Sequence, residues 1–366
     1  MSKIISIATG VPSFNHKQED LFSFAEKVYC KDETEKRKLK FLYSHSGISN
    51  RYSVVPDFSV VADERTLFPP TKDLEPFPSL EKRMQLFNDH AADLSARTIE
   101  DCIKGKINKD EITHLVTVSC TGMSAPGIDL QVMDMMGLPK NIIRTSVNFM
   151  GCYAAVHGLK LADAFCNSSK KVNVVVVCVE LCTLHFQKEV SADNMTSSLL
   201  FADGCAAMLV QPDYSAHSGI RVQNFFSDVS FKGKKDMAWE LSSKGFLMTL
   251  TGYVPELIKE DFKGLVDKAL ESSGQHQRDV THWCIHPGGK KILESISSSL
   301  AIPNESLNYS YNVLNDYGNM SSPTILFVLK KIMDEFEQQK PVTPPVIFGA
   351  AFGPGLTMET FTATYD

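Results

Sequence analysis

Apolar residues recur along this chain with two periods, and the switches between them mark out its elements. Ile4 to Ala8 reads as a short strand, ended by Gly10 and Pro12. Lys31 to Lys40 mixes charges of both signs and predicts a solvated helix. Residues 53–80 hold Pro56, Pro69, Pro70, Pro76 and Pro78 and read as loop. From Ser79 to Lys104 the residues Leu80, Met84, Phe87, Ala91 and Leu94 return at helical spacing. Beyond this helix the pattern alternates between strand and helix. Ile112 to Ser119 is apolar and β-branched, and Val172 to Val179 is a nearly unbroken valine run, as suits a sheet covered on both faces. A helix opening at Gly151-Cys152 lies between them. The second half repeats the theme with a strand at Thr281 to Ile285, a helix from His286-Pro287-Gly288-Gly289 to Leu300, and another after Pro323 that runs to Gln339. Strands at Val346–Phe348 and Thr357–Thr364 close the chain around Phe352-Gly353-Pro354-Gly355. Alternating units in both halves predict a layered α/β architecture.

With 366 residues, the chain exceeds one small core. Two halves are expected, residues 1–220 and 221–366, meeting near 215–235. A net charge of −6 argues against a nucleic-acid-binding surface. No apolar run approaches the roughly 18–20 residues of a membrane span, so no membrane insertion is expected. The start, Met1 to Ala8, lacks a signal-peptide core. Nine cysteines without a CxxC pair predict free thiols in a cytoplasmic protein. No Cys/His cluster has metal-ligand spacing; His282 and His286 lie four apart but without the context of a zinc helix, so no metal is expected.

Three polar residues stand at the ends of elements, where a scaffold can present them. Cys152 follows Gly151 at a predicted helix start, where amide dipoles would lower its pKa. His286 ends a strand before Pro-Gly-Gly. Asn319 precedes a helix within Tyr317-Gly318-Asn319-Met320-Ser321-Ser322-Pro323. A thiolate, an imidazole and a carboxamide can together hold an acyl group and stabilise an oxyanion or enolate. Taken singly, each has a plainer reading as a packed thiol, a bonded histidine or a helix cap. Their order alone leaves a Cys-His-Asn hydrolase open.

The stretches around them resemble the type III polyketide synthases, the chalcone-synthase-like branch of the thiolase fold. The matching segments are Asn148 to Ala155, Leu200-Phe201-Ala202-Asp203-Gly204, His286 to Gly289, Tyr317 to Pro323 and Phe352 to Thr357, in family order over nearly the whole chain. The resemblance implies a five-layered αβαβα homodimer built from two related halves. It implies that Cys152 takes a starter acyl group from coenzyme A, and that His286 and Asn319 hold the malonyl-CoA thioester during decarboxylative condensation. No cofactor is implied beyond these coenzyme A thioesters, acyl-CoA and malonyl-CoA, which are substrates. Phe201 matches a gatekeeper aromatic, with Met248 in place of a second gatekeeper Phe. Ser321 and Phe352 match residues lining the cavity, and Lys38 and Lys291 match phosphate-binding lysines. Phe41 and His45 stand where plant members carry basic residues, which leaves Arg37 or Lys40 as alternatives there.

Thr121, Ala125 and Cys182 resemble the small residues lining an acyl tunnel in the bacterial alkylpyrone-forming branch, Ala125 replacing a Met contributed across the dimer. His185 and Trp239 stand where plant enzymes are small and would shrink the chamber. A medium or long fatty acyl starter, few extensions and a pyrone or resorcinol product are expected. The nearest rival is an initiating ketoacyl synthase that condenses once on a carrier protein. A papain-like hydrolase would want a C-G-[SA]-C-[WY] segment, which is absent.

Overall fold

The computed structural model describes residues 1–169 and 171–366. The first half runs β1 (Ser2–Gly10), β2 (Phe14–Lys17), α1 (Gln18–Tyr29), α2 (Glu33–Ser44), β3 (Asn50–Ser53), α3 (Leu80–Ile103), β4 (His114–Ser119), α4 (Ile128–Met136), β5 (Ile143–Asn148), α5 (Ala154–Ser168), β6 (Val174–Leu181), α6 (Ala192–Leu200) and β7 (Asp203–Pro212). The second continues with β8 (Ile220–Val229), β9 (Met237–Ser242), β10 (Gly245–Leu250), α7 (Val254–Glu271), β11 (His282–Ile285), α8 (Lys290–Leu300), α9 (Asn308–Tyr317), α10 (Thr324–Gln338), β12 (Ile347–Gly353) and β13 (Thr357–Tyr365).

Among the described residues the largest sheet has the strand order β11-β12-β13-β8-β1-β7-β6-β4-β5. β4 runs parallel to both β5 and β6, and β11 runs parallel to β12. The two half-sheets join where Lys3 and Ile4 of β1 pair with Arg221 and Ile220 of β8. β9 and β10 form a separate hairpin.

Residue alternation explains the layering. All eight residues of β6 are buried. Val175, Val177 and Val179 pack into the cluster that contains α3, whereas Val174, Val176 and Cys178 pack into the cluster that contains α5 and α10. In the second half Ile347 and Ala351 of β12 face α10, and Phe348 and Ala350 join Phe262 and Leu265 of α7. Helices α5 and α10 therefore lie between the half-sheets, with α3 outside one and α7 with α8 outside the other. This is the thiolase fold.

The predicted strands and helices are present, with shifts at their ends. β4 begins at His114 rather than Ile112 and β6 at Val174 rather than Val172. The expected helix opening at Gly151-Cys152 is a 3-10 turn, Gly151–Tyr153, that leads into α5 at Ala154. The proline-rich stretch 53–80 is irregular apart from one short turn at Ala62–Glu64. It holds its shape through Asp57, which is fully buried. The Asp57 carboxylate accepts the backbone N–H groups of Thr66 at 2.9 Å, Leu67 at 2.8 Å and Phe68 at 2.7 Å, and the Thr66 hydroxyl at 3.0 Å. This anchors Phe58 and Phe68 against Phe24 and Phe186.

Asp57→Ala would strip three backbone amides, two of them buried, of their acceptor. A loss of about 3 kcal/mol is expected, equivalent to roughly 4 °C in Tm for a chain of this length. Calorimetric or urea unfolding checks it, and an unchanged midpoint would refute the anchor.

Candidate active site

Three loops converge where the middle-layer helices begin. The Cys152 turn lies between β5 and α5. Its Gly151 has φ +79°, and a Cβ there would sit 2.2 Å from Pro354 Cδ. Only glycine allows the Phe352–Gly355 loop to close onto the turn. His286 is the first residue beyond β11, and its backbone N–H donates to Ala350 O at 2.9 Å. Asn319 stands between α9 and α10, after Gly318 at φ +70°. It forms a bridge with Phe201, because Asn319 N donates to Leu200 O and Ala202 N donates to Asn319 O, each at 2.9 Å.

The Asn319 carboxamide is fixed at both ends. Its Oδ1 accepts Ser321 N at 2.8 Å and its Nδ2 donates to Gly288 O at 3.2 Å. Of five non-glycine residues with positive φ among the described residues, Phe149, Ser321 and Leu356 stand in these loops. Backbone strain of this kind, on the order of 1–3 kcal/mol per residue, persists only where the surroundings impose it.

Cys152, His286 and Asn319 line one cavity of about 40 Å³. The electrostatics differ from the sequence expectation. Burial pushes the Cys152 thiol up to about 12, against opposing hydrogen bonds from Ser321 and Asn319. The dipole argument fails because Cys152 sits in a 3-10 turn before the helix and because desolvation outweighs the amides. Its Sγ lies 3.6 Å from Ser321 Oγ. Burial also pushes His286 down to about 3, so its ring is neutral. Both ring nitrogens of His286 are buried and lack a partner in the protein. The resting site is thus an uncharged thiol and an imidazole with both nitrogens available, one as base and one as donor.

The same cavity is lined by Thr121, Cys182, Phe201, Trp239, Met248, Ser321 and Phe352. Four other expected residues lie elsewhere. His185 is in the wall: its Nε2–H donates to Thr121 O at 2.7 Å, its Nδ1 accepts Phe246 N at 3.1 Å, and its ring stacks on Phe246 at 4.4 Å. It braces the 120–121 segment and lines the cavity beside the catalytic one rather than the catalytic cavity itself. Ala125 is exposed and lines neither this cavity nor the one beside it, because its loop faces outward in the single chain. Lys38 on α2 and Lys291 on α8 are exposed and also stand away from the cavity. Phe41 stacks on His45 at 4.0 Å on the outer face of α2.

Sequence reasoning missed Glu180, near the end of β6 and fully buried. Its Oε1 accepts Ser322 Oγ at 2.6 Å, and its Oε2 accepts Cys120 N and Thr121 Oγ1, each at 2.8 Å. It ties the segment before α10 to the segment after β4. The available signal was a lone carboxylate in an otherwise apolar strand, since a buried charge requires partners. Burial pushes its carboxyl up to about 7.

Comparison with known proteins agrees with this geometry. Residues 1–214 match the N-terminal domain of chalcone and stilbene synthases, and residues 222–364 match the C-terminal domain. The alpha-pyrone synthesis polyketide synthase-like protein Pks18 of Mycobacterium tuberculosis is 30% identical over 361 residues, 97% of this chain and 89% of that protein. Type III polyketide synthase C of Arabidopsis thaliana is 28% identical over 368 residues, 98% of this chain and 94% of that protein. The crystal structure of PKS-I from the brown alga Ectocarpus siliculosus superposes with a TM-score of 0.93 at 26% identity, covering 100% of this chain and 98% of that one.

Glu180 gives a pH-dependent prediction. Its folded pKa near 7 lies above the ordinary 4.5. The folded protein therefore binds the extra proton between those values, and stability falls as pH rises through that window. The difference between those two values corresponds to roughly 3 kcal/mol. Urea unfolding from pH 4.5 to 8 should show Glu180→Gln gaining stability relative to the parent by about this amount. A difference that stays flat with pH would mean that Glu180 does not titrate in this range.

Proposed function

The chain belongs to the chalcone and stilbene synthase family, and from that premise we propose that it loads a medium or long fatty acyl group on Cys152 and makes a pyrone or resorcinol. The enzyme is a type III polyketide synthase, an acyltransferase that condenses acyl-CoA with malonyl-CoA. It needs no cofactor beyond these coenzyme A substrates.

Each residue's part follows from the site. The Cys152 proton passes to a ring nitrogen of His286 as sulfur attacks the acyl-CoA carbonyl. The carbon–sulfur bond to coenzyme A breaks, and coenzyme A leaves as its thiol with that proton. Malonyl-CoA then loses carbon dioxide, and the electron pair becomes an enolate on the thioester oxygen. The neutral His286 ring and the fixed Asn319 amide both offer N–H donors to that oxygen. The enolate carbon attacks the Cys152 thioester, a carbon–carbon bond forms, and the sulfur is released as thiolate.

One observation carries the choice of starter. The wall of the catalytic cavity at Cys182, Phe201, Trp239 and Met248 is shared with a second, largely apolar cavity. Small Cys182 and flexible Met248 leave room for a chain to pass. Each buried methylene is worth about 0.8 kcal/mol, or about fourfold in affinity. Short extension fits the bulk of Trp239, whose Nε1–H is held by Cys120 O at 2.7 Å. Apolar Met123, Leu130, Met135 and Ile143 are exposed around α4 and the edge strand β5. We read this patch as the homodimer face, which also covers the Ala125 loop. Among the described residues no helix is long and apolar enough to cross a membrane. All nine cysteines are free, and on that ground we place the enzyme in the cytoplasm.

Incubation with malonyl-CoA and acyl-CoAs from C2 to C18 plus coumaroyl-CoA should give alkylpyrones or resorcinols from C8 and longer starters. Turnover of short or aromatic starters only would refute the fatty-acyl assignment. Cys152→Ala should abolish covalent acylation by intact mass. Asn319→Ala should keep acylation and lower kcat by about 10²–10³-fold. Light scattering should give twice the mass of one chain, and Met135→Lys should shift it toward one.

A further inference from the structure

A carboxylate stands on β13 where the pattern calls for an apolar side chain. Phe361, Ala363 and Tyr365 turn to the middle layer and pack into the cluster that contains α5 and α10. By alternation Glu359 belongs to the same face, and it is 3% exposed. Its partners come from two elements. His157 and Lys160 stand three apart on α5 and so share one side of that helix. His157 Nε2–H donates to Glu359 Oε1 at 3.0 Å, and Lys160 Nζ donates to Oε2. Ser227, opposite Glu359 on β8, donates its hydroxyl to Oε2 at 2.8 Å and accepts from Lys160 Nζ at 2.6 Å. Burial raises the Glu359 carboxyl, but these three donors outweigh it and hold the group below its ordinary value, so it is ionised.

The cluster ends a longer seam. Helix α5 follows the Cys152 turn, and β13 follows the Phe352–Gly355 loop. Along the seam Gly151 faces Pro354, and Tyr153 lies against Gly353, where a Cβ would sit 2.5 Å from its ring. Next along α5, the His157 ring stands 5.4 Å from that of Tyr153 and reaches Glu359. Packing contacts such as the first two tolerate a small slide of strand against helix. A buried carboxylate does not, because leaving it without its donors is costly. Stability alone does not call for such a pair, since apolar residues of similar volume often serve as well or better.

Phe352 and Pro354 line the catalytic cavity together with Cys152, and Glu359 does not. In a space of about 40 Å³, a small shift of that wall changes the room left for a growing chain. We propose that Glu359 is a positioning residue for chain extension: through His157 and Lys160 it fixes the Phe352–Gly355 loop against the Cys152 turn, and the room so defined sets how many malonyl units are added. The proposal rests on the condensation chemistry above and is independent of which starter is loaded.

The test uses the full-length protein with malonyl-CoA and the starter that it extends best. Glu359→Gln keeps the shape and loses the charge, Lys160→Met keeps the stem and loses the head, and Lys160→Arg keeps the cation. Acylation of Cys152, followed by intact mass, should stay within about twofold of the parent in all three. The ratio of the main product to the product one malonyl unit shorter should fall at least about fivefold in Glu359→Gln and Lys160→Met, and hold in Lys160→Arg. That ratio counts only folded, active molecules, so a loss of stability alone does not move it. If Glu359→Gln does not fold, the half-buried Lys160 carries the test. A parental ratio in both charge-removing variants, whatever their Tm, overturns the proposal, and an equal fall in Lys160→Arg overturns the part given to the ion pair. No extension of any starter by the parent protein overturns both this proposal and the function above.

Discussion

The structure hangs on its middle helical layer. Helices α5 and α10 lie between the half-sheets and bury their opening turns and one apolar face there. Thr324 to Leu329 are all buried, and Ala154, Ala155, Leu159 and Ala162 of α5 are as well. Such helices cannot shift without opening the sheets, and the loops that feed them are held equally tightly. One feeding loop carries Cys152 and the other carries Asn319. The two meet through Cys152 Sγ and Ser321 Oγ, and the Glu180 carboxylate, which accepts from Ser322 Oγ, ties the second loop to the segment after β4. Packing thus fixes the positions of nucleophile and carboxamide before any substrate is present, which is where preorganised catalysis gains most.

The same burial sets the electrostatics. It raises the Cys152 thiol, lowers the His286 imidazole and raises the Glu180 carboxyl, all by taking charge out of water. A site that favours neutral groups keeps the thiol protonated until an acyl carbonyl is there to accept it. It also strengthens the donors aimed at an enolate, because few competing dipoles stand nearby.

Much of this was legible in the residues. The valine run at Val174 announced a doubly covered strand, and the glycine and proline clusters at Gly151, His286 to Gly289, Gly318 and Phe352 to Gly355 announced sharp turns at element ends. That Cys152, His286 and Asn319 share a cavity was implied by the motifs, though the spacing in sequence, more than a hundred residues between the first two, could not give the contact. What stayed hidden depended on three-dimensional burial. Glu180 showed only as a lone acid in an apolar strand, and the direction of the Cys152 shift required knowing that desolvation exceeds the field of a short 3-10 turn. His185 looked like chamber bulk because its two backbone partners, Thr121 and Phe246, are 64 and 61 residues away. Ala125 and the lysines were placed by likeness alone, and the chain holds them on its surface away from the catalytic cavity.

On the function proposed above, catalysis and selectivity are mounted on different parts of the fold. Cys152, His286 and Asn319 hang from the main sheet and the middle layer. Trp239 and Met248 belong to the β9–β10 hairpin, which pairs only with itself. That hairpin is attached by a few specific contacts: Trp239 Nε1 to Cys120 O, Phe246 N to His185 Nδ1 with the two rings stacked, Leu80 N to Ser243 O at 3.1 Å, and Gln187 Nε2 to Lys244 O. Its side chains can change size or rotamer at little cost to the sheet, whereas Gly151 or Gly318 cannot gain even a methyl group without meeting Pro354 or Arg51. Changes confined to the hairpin can therefore alter which chain fits while the reacting atoms stay in place, and a rigid centre beside an adjustable wall is the physical arrangement that lets one fold serve many starters.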